Sequence, residues 1–91
     1  MLAQLRAMLE LYQAEDCPHS QNVREKLTEL GLSYVSHNPR LAEGEVKNET
    51  TYEALEAIGG ESQIPFLVDT ERGEAIYESE AIVEHLETHY G

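Results

Sequence analysis

Hydrophobic positions change their spacing after the first dozen residues of the chain. Residues 8–12, MLELY, are a short apolar-rich run, which predicts a buried strand. Farther along, Val23, Leu27 and Leu30 recur at i, i+4 and i+7, the spacing of one helical face. The polar residues between them occupy the opposite side of that helix. The pattern therefore predicts a strand followed by a helix over 18–30.

The next segment returns to strand-like residues and then loses its pattern. Gly31 is typical of the position that follows a helix end. Residues 32–37, LSYVSH, predict a second strand because Tyr34 and Val35 favour extended backbone. Residues 38–50 are polar and unpatterned, which indicates a loop.

A second helix is predicted in the middle of the chain. Thr50 and Glu53 have the spacing of a capping box, in which two side chains satisfy the first amides of a helix. The apolar residues that follow at roughly helical spacing are Tyr52, Leu55 and Ile58. The Gly59-Gly60 pair is expected to end this helix.

Two strands and a helix are predicted for the last third of the chain. Residues 64–69, IPFLVD, and residues 74–78, EAIYE, indicate strands, and the short polar turn between them makes a hairpin. Ser79 is a residue type that caps helix N-termini. The inner face of the last helix is expected to consist of Ile82, Val83, Leu86 and Tyr90.

The resulting order is β-α-β-α-β-β-α. Its first half resembles a parallel strand–helix–strand unit, for which a right-handed crossover is expected. The last two strands must be antiparallel because only a tight turn joins them. We therefore predict an α/β (α+β) fold, a mixed four-stranded sheet with three covering helices. The length of 91 residues favours one domain over 1–91.

Composition and charge narrow the function classes. Hydrophobic residues make up 41% of the chain and charged residues 26%, as in a globular protein. Eighteen acids against six bases give a net charge of −12, which argues against nucleic acid and against an anionic membrane surface. No stretch is apolar enough to span a membrane. The single cysteine cannot form an internal disulfide, which favours a reducing, cytoplasmic location.

The acidic residues are spread along the chain rather than gathered in a tail. Such a coat keeps a protein soluble and favours a monomer, although a dimer stays open. One hypothesis is a halophilic source, where molar salt screens the self-repulsion. The alternative is an ordinary acidic protein.

The single thiol lies where a helix can activate it. Cys17 directly precedes Pro18, a residue suited to the first helical position. The free amides of His19 and Ser20 would then point towards the sulfur, and the helix dipole would favour the thiolate. We therefore expect an accessible, anionic sulfur. The alternative is a small buried hydrophobe, a common fate of free cysteine.

Three segments carry a resemblance to a known family. They are CPHSQNVREKLTELGL from residue 17, QIPFLVD from residue 63 and YESEAIVEHLETHYG from residue 77. Together they resemble glutaredoxins and the N-terminal domain of cysteine-type glutathione transferases, which have the thioredoxin fold. The resemblance spans about residues 8–91. The chain departs from it by having Ser20 at the usual second cysteine, and it ends where transferases continue into a helical domain.

The resemblance assigns roles to particular residues. It implies that Cys17 is the nucleophile, with Pro18 and Ser20 completing the catalytic motif. It implies a cis bond before Pro65, so that the backbone of Ile64 faces the cysteine and pairs with a bound thiol tripeptide. The same resemblance suggests further contacts for a small thiol at Glu78 and Ser79.

Three of the histidines are candidates for a chemical role. His19 is a candidate contact for the small thiol, as a proton donor or a positive charge beside Cys17, but an exposed first-turn residue is the expected alternative. His85 and His89 lie one helical turn apart, a spacing that suits a metal ion, yet no third ligand is evident. A solvated helix face is expected for this pair, and no metal is expected.

The sequence therefore predicts a glutaredoxin-like, monothiol thiol–disulfide oxidoreductase. Its co-substrate would be glutathione or another low-molecular-weight thiol, and its partners would be that thiol and protein mixed disulfides. One alternative is a glutathione transferase-like domain that lacks its helical domain. Another is a non-catalytic module that binds a thiol or an iron–sulfur cluster.

Overall fold

A computed structural model describes residues 8–91 and contains the seven elements in the predicted order. The elements are β1 (Leu9–Tyr12), α1 (Pro18–Glu29), β2 (Val35–His37), α2 (Glu49–Gly59), β3 (Phe66–Asp69), β4 (Glu74–Tyr77) and α3 (Ser79–Tyr90). The strands form one sheet in the order β2-β1-β3-β4. β1 and β2 are parallel, whereas β3 is antiparallel to both β1 and β4. The predicted mixed four-stranded α/β sheet is therefore confirmed.

The sheet separates two clusters of buried side chains because alternate residues of each strand point to opposite faces. On one face, strands β1 and β3 pack against α1 and α3. The buried residues there are Leu9, Leu11, Val23, Leu27, Leu67, Ile82 and Leu86. On the other face, a smaller cluster lies beneath α2 and contains the cysteine. Its members are Tyr12, Ala14, Cys17, Leu55, Ile64 and Phe66.

The end of α1 confirms the role predicted for Gly31. This residue has a φ of 69°, in the left-handed region that suits glycine. Its amide donates to the carbonyl of Thr28, and the amide of Leu32 donates to that of Leu27. This pair of bonds satisfies carbonyls at the helix end. Because Leu32 is used in the cap, β2 begins only at Val35, three residues later than predicted.

The predicted start of α2 is wrong. Asn48, not Thr50, is the N-cap, and its Oδ1 accepts a hydrogen bond of 2.9 Å from the Thr51 amide. Asparagine is a better N-cap residue than threonine, so the helix begins after Asn48 and the Thr50–Glu53 pair does not serve as a capping box. The helix continues through Gly59, and Gly60 ends it with a φ of 88°.

The predicted inner face of α2 is only partly correct. Leu55 is fully buried, but Ile58 is 51% exposed. Residues three apart are offset by about 60° around a helix of 3.6 residues per turn, so repeated steps of three leave the buried face. Ile58 has rotated away from the sheet for this reason.

The solvated face predicted for His85 is also wrong. His85 is only 8% exposed, and its Nε2 lies 2.9 Å from Oδ2 of the fully buried Asp69. Tyr90 donates its hydroxyl to the same oxygen at 2.9 Å, and the Arg72 amide donates to Oδ1. The rings of His85 and His89 lie 4.6 Å apart between centroids and are tilted by 54° to each other. Within residues 8–91 no group of three potential ligands could hold a metal ion.

Asp69 anchors α3 to the end of β3. Burial alone would raise the pKa of this carboxyl, but hydrogen bonds from His85, Tyr90 and the Arg72 amide outweigh burial and hold the pKa below its ordinary value. Across the part of the chain that the structure describes, no helix is long and apolar enough to cross a membrane.

We expect Asp69→Asn to lower the free energy of unfolding by about 2–3 kcal/mol at pH 7, because charged hydrogen bonds to a buried group are lost. A lowered pKa means that the ionised form stabilises the fold above the ordinary carboxyl pKa of about 4 and ceases to do so as the pH falls through the folded-state value. The difference between wild type and variant should therefore shrink on acidification.

Urea unfolding at pH 7 and at pH 3 measures both quantities. Glu71→Gln, the same change on the exposed β3–β4 turn, is the control and should move stability by less than about 0.5 kcal/mol. An equal loss for Asp69→Asn at both pH values would contradict the assignment.

Candidate thiol site

Cys17 occupies the N-cap of α1, as the sequence predicts. Its backbone is extended, with φ −104° and ψ 117°, and Pro18 is the first helical residue. Of the two amides predicted to point towards the sulfur, that of Ser20 does so, donating to Sγ at 3.4 Å. A sulfur in this position can hold negative charge against the positive end of the helix dipole.

The predicted accessibility of the sulfur is wrong in this structure. Cys17 is only 6% exposed and packs with Tyr12, Leu55, Ile64 and Phe66. The residue therefore combines the two alternatives that the sequence left open. It is capped like a reactive thiol and packed like a small hydrophobe.

A loop contact lies beside the cluster that contains the cysteine. Ala42, in the segment between β2 and α2, packs against the cluster that contains Cys17. Its amide donates to Oδ1 of Asp16 at 3.0 Å, and this hydrogen bond lies at the surface. The contact fastens the loop to the residue directly before the thiol.

The bend before β3 lies beside the cysteine. The peptide bond between Ile64 and Pro65 is cis, as the resemblance implies, and both residues are buried. Ile64 belongs to the same cluster as Cys17. Among the backbone hydrogen bonds described outside helices and strands, none uses the amide or carbonyl of Ile64. β3 consequently begins at Phe66 rather than at Ile64.

The start of α3 differs from the prediction. Glu78 takes the N-cap position and Ser79 is the first helical residue, so the capping role predicted for Ser79 is wrong. Glu78 has a φ of 77°, a conformation that is rare for a residue with a side chain and that tends to cluster at functional sites. Its Oε2 accepts a hydrogen bond of 3.0 Å from Nε2 of Gln63. That bond ties the start of α3 to the bend at Ile64.

Two open hollows lie along α1 and α3. One, of about 550 Å³, is bordered by three predicted ligand contacts, which are His19, Glu78 and Ser79. The rest of its lining comes from α3 and consists of Glu80, Ala81 and Glu84. His19 is exposed, as expected for a first-turn residue. The other hollow, of about 590 Å³, follows the outer surfaces of α1 and α3 and is lined by none of Cys17, Ile64 and Pro65. None of these three residues lines the first hollow either, so it adjoins the predicted ligand contacts rather than the thiol itself.

The predicted site residues thus form two neighbouring groups. Cys17, Ser20 and Ile64 are buried, whereas His19, Glu78 and Ser79 line the open hollow. The Ser20 hydroxyl does not contact the sulfur as a hydrogen-bond partner. It accepts a hydrogen bond of 3.3 Å from the Ala14 amide and so fixes the loop before the cysteine.

Sequence reasoning missed three residues that shape the site. Gln13 is fully buried at the end of β1, and Arg24 on α1 donates to its Oε1. Gln63 contacts Glu78. A polar residue directly after a buried strand was a usable signal for Gln13. Nothing in the spacing of Arg24 or Gln63 distinguishes them from other surface residues.

The sheet order, the cysteine at a helix N-terminus and the adjacent cis-proline define a domain of the thioredoxin fold. Residues 11–91 match the family described as the N-terminal domain of glutathione S-transferase. The chain belongs to that family.

Solved structures agree on the fold. A diazinon-metabolizing glutathione S-transferase of the silkworm Bombyx mori is 27% identical, with a TM-score of 0.70 over 90% of this chain and 37% of that chain. URE2P6 of Phanerochaete chrysosporium is 26% identical, with a TM-score of 0.60 over 92% and 38% of the respective chains.

Ure2p in complex with glutathione is 23% identical, with a TM-score of 0.70 over 90% of this chain and 35% of that chain, and this likeness concerns the fold alone. No curated protein matches the chain. This chain covers little more than a third of the length of each of these three solved structures.

We expect Asp16→Ala to make Cys17 more reactive towards neutral iodoacetamide, by about two- to ten-fold. The variant removes one hydrogen bond, worth about 0.5–1.5 kcal/mol, that holds the loop over the thiol. Mass spectrometry of the alkylated protein gives the rate.

Asp16→Asn is the matched control, because it removes the same charge but keeps an oxygen that can accept from Ala42. Its rate should stay near that of the wild type. Equal acceleration in the two variants would show that charge, not loop attachment, limits access.

Proposed function

We propose that this domain binds glutathione or a related small thiol and catalyses thiol–disulfide exchange through Cys17 alone. One observation carries the proposal: the Ser20 amide donates to the Cys17 sulfur at the tip of α1, beside the Ile64–Pro65 bend. Membership of the glutathione S-transferase N-terminal family supports glutathione as the thiol.

In the first step, the Cys17 thiolate attacks the glutathione sulfur of a protein–glutathione mixed disulfide. The new Cys17–glutathione disulfide forms as the old disulfide breaks, and the protein sulfur leaves as a thiolate that takes a proton from water. Under this proposal His19, exposed in the first turn of α1, is the side chain that supplies such a proton instead.

In the second step, the thiolate of a second glutathione attacks the glutathione sulfur bound to Cys17. Oxidised glutathione leaves and the Cys17 thiolate is restored, so the two steps convert one mixed disulfide and one free glutathione into a protein thiol and oxidised glutathione. No second cysteine in the chain is required. Ser20 is sufficient at the second motif position because its backbone amide and hydroxyl hold the loop and the sulfur.

The bound thiol would lie between the bend and the start of α3. The backbone of Ile64 can pair with a peptide ligand in the manner of a strand edge. The carboxylate of Glu78 suits the ammonium group of a γ-glutamyl thiol, while Ser79 and the first amides of α3 suit its carboxylate. Both groups border the same open hollow.

Enclosure of Cys17 sets a condition on this chemistry. A mixed disulfide cannot reach a residue that is 6% exposed unless neighbouring side chains move. The loop around Ala42, fastened through Asp16, is the segment whose displacement would open the sulfur. The proposed reaction therefore includes an opening step before the exchange.

A glutathione transferase is the second candidate function. It is favoured by the family match of residues 11–91 and by the 27% identity with the silkworm transferase, of which this chain covers 37%. Under this proposal the domain supplies the thiol site and a further helical segment supplies the site for an electrophile. Conjugation of glutathione to an aryl chloride, measured beside disulfide exchange, separates the two candidates.

The proposal of thiol–disulfide exchange also includes the expected partners, oligomeric state and location. The partners are a small thiol and protein mixed disulfides, in a monomeric protein of the cytoplasm. The halophilic hypothesis stays a prediction, which the salt dependence of unfolding can test.

We expect Cys17→Ser to abolish reduction of a glutathionylated protein by glutathione, leaving the uncatalysed rate. A coupled assay that consumes oxidised glutathione measures the activity. Thr28→Ala, an exposed position on the same helix, is the control and should retain full activity. Undiminished activity in folded Cys17→Ser would refute the proposed exchange.

A further inference from the structure

Two carboxylates directly precede the thiol. Glu15 and Asp16 form the corner of a turn in which the Cys17 amide donates to the Ala14 carbonyl at 3.2 Å. A four-residue turn keeps its first and fourth Cα atoms within about 7 Å. The turn is therefore no wider than the Debye length, the distance over which salt screens a charge, which is about 8 Å at physiological salt. Uncompensated, the two acids would repel an anionic thiol from Cys17.

Arg24 lies against this turn. Its Nε is 3.6 Å from Oε2 of Glu15, and its Nη1 donates to the Ala14 carbonyl at 3.2 Å. The same carbonyl accepts from the Cys17 amide. Arg24 therefore both offsets the charge of Glu15 and fixes the backbone that leads into the cysteine.

Gln13 holds Arg24 in this position. It is fully buried, and its Oε1 accepts a hydrogen bond from Nη1 of Arg24. Its Nε2 is shared among three acceptors: Glu15 at 3.2 Å, Ser36 at 3.3 Å and Asn38 at 2.7 Å. A buried amide with this many partners has little freedom to rotate, so the guanidinium is held in a fixed place.

We infer that Arg24, held by Gln13, is a specificity-determining residue that admits anionic thiols to Cys17 by compensating Glu15. The inference rests on the proposed function, since glutathione carries two carboxylates and one ammonium group at neutral pH. It adds a permanently charged cation, which none of the predicted ligand contacts supplies. The side chain of Glu15 is 77% exposed, so the ion pair adds little to stability and its main effect is on the local field.

Alkylation of the single cysteine tests this inference without glutathione. Iodoacetate and iodoacetamide have nearly the same size, and with each of them the Cys17 thiolate forms a carbon–sulfur bond as iodide leaves. Only iodoacetate is an anion. The rate constant for iodoacetate divided by that for iodoacetamide at one pH, here called the reagent ratio, therefore reports the electrostatic field at the sulfur. Loop opening and the thiolate fraction affect both reagents equally.

We expect Arg24→Gln to lower the reagent ratio by about two- to four-fold at low salt, since one positive charge is removed from the turn that leads into Cys17. Arg24→Lys should keep the ratio because it keeps the charge. Glu15→Gln should raise the ratio, and the double variant Glu15→Gln/Arg24→Gln should return it to the wild-type value. Molar KCl should remove all these differences.

Arg72→Gln is the control for net charge. It makes the same change on the β3–β4 turn, where Arg72 pairs with Asp69, and should leave the reagent ratio unchanged. If Arg24→Gln does not fold, Glu15→Gln still decides the question, because it leaves the contacts of Arg24 with Gln13 and Ala14 in place.

An unchanged ratio in Glu15→Gln, or in folded Arg24→Gln, would overturn the inference, as would a fall of equal size in Arg72→Gln. Slower alkylation by both reagents alike would reduce Arg24 to a structural role. None of these outcomes depends on disulfide exchange, so failure of the inference is distinguishable from failure of the proposed function.

Discussion

The hydrogen bond from the Ser20 amide to the Cys17 sulfur depends on one constraint, which is that α1 must begin immediately after the turn that leaves β1. Both backbone groups of Ala14 hold that turn in place. Its amide donates to the Ser20 hydroxyl, and its carbonyl accepts from the Cys17 amide and from Arg24. The central strand thereby sets the position of the helix tip, and the helix tip sets the position of the sulfur.

The same packing that positions the sulfur also encloses it. Cys17 lies between the end of β1, α2 and the Ile64–Pro65 bend, and these elements meet only because the small cluster excludes water. A fully exposed cysteine would have no apolar neighbours to fix its side chain. Reactivity and order therefore compete at this residue. The loop that contains Ala42, attached next to the thiol by a surface hydrogen bond to Asp16, offers a way to satisfy both.

The pattern of the sequence was sufficient for the sheet and for the helix that bears the thiol. The spacing of Val23, Leu27 and Leu30 and the Pro18 and Gly31 boundaries are local signals, and local physics decides them. The sequence pattern did not show that Asn48 caps α2, because Asn48 and Thr50 are both suitable N-cap residues and lie within three residues of each other.

What the sequence could not give are contacts between distant residues. His85 was expected on a solvated face because nothing local indicates that Asp69 faces it from β3. Gln13 and Arg24 are eleven residues apart, and Gln63 and Glu78 fifteen. Such pairs form only when the sheet has set the relative positions of the elements, so they require the tertiary fold.

Scarcity of positive charge makes the placement of each cation consequential. The chain carries a net charge of −12, yet every lysine and arginine within residues 8–91 has an acceptor. Lys26 pairs with Glu29 and Glu87, Lys47 with Glu45, and Arg72 with Asp69, whereas Arg40 donates to backbone carbonyls. Only Arg24 among them contacts the turn that carries the thiol. In a protein whose overall field repels anions, one cation held rigidly at that turn acts at short range, where screening by salt is weakest.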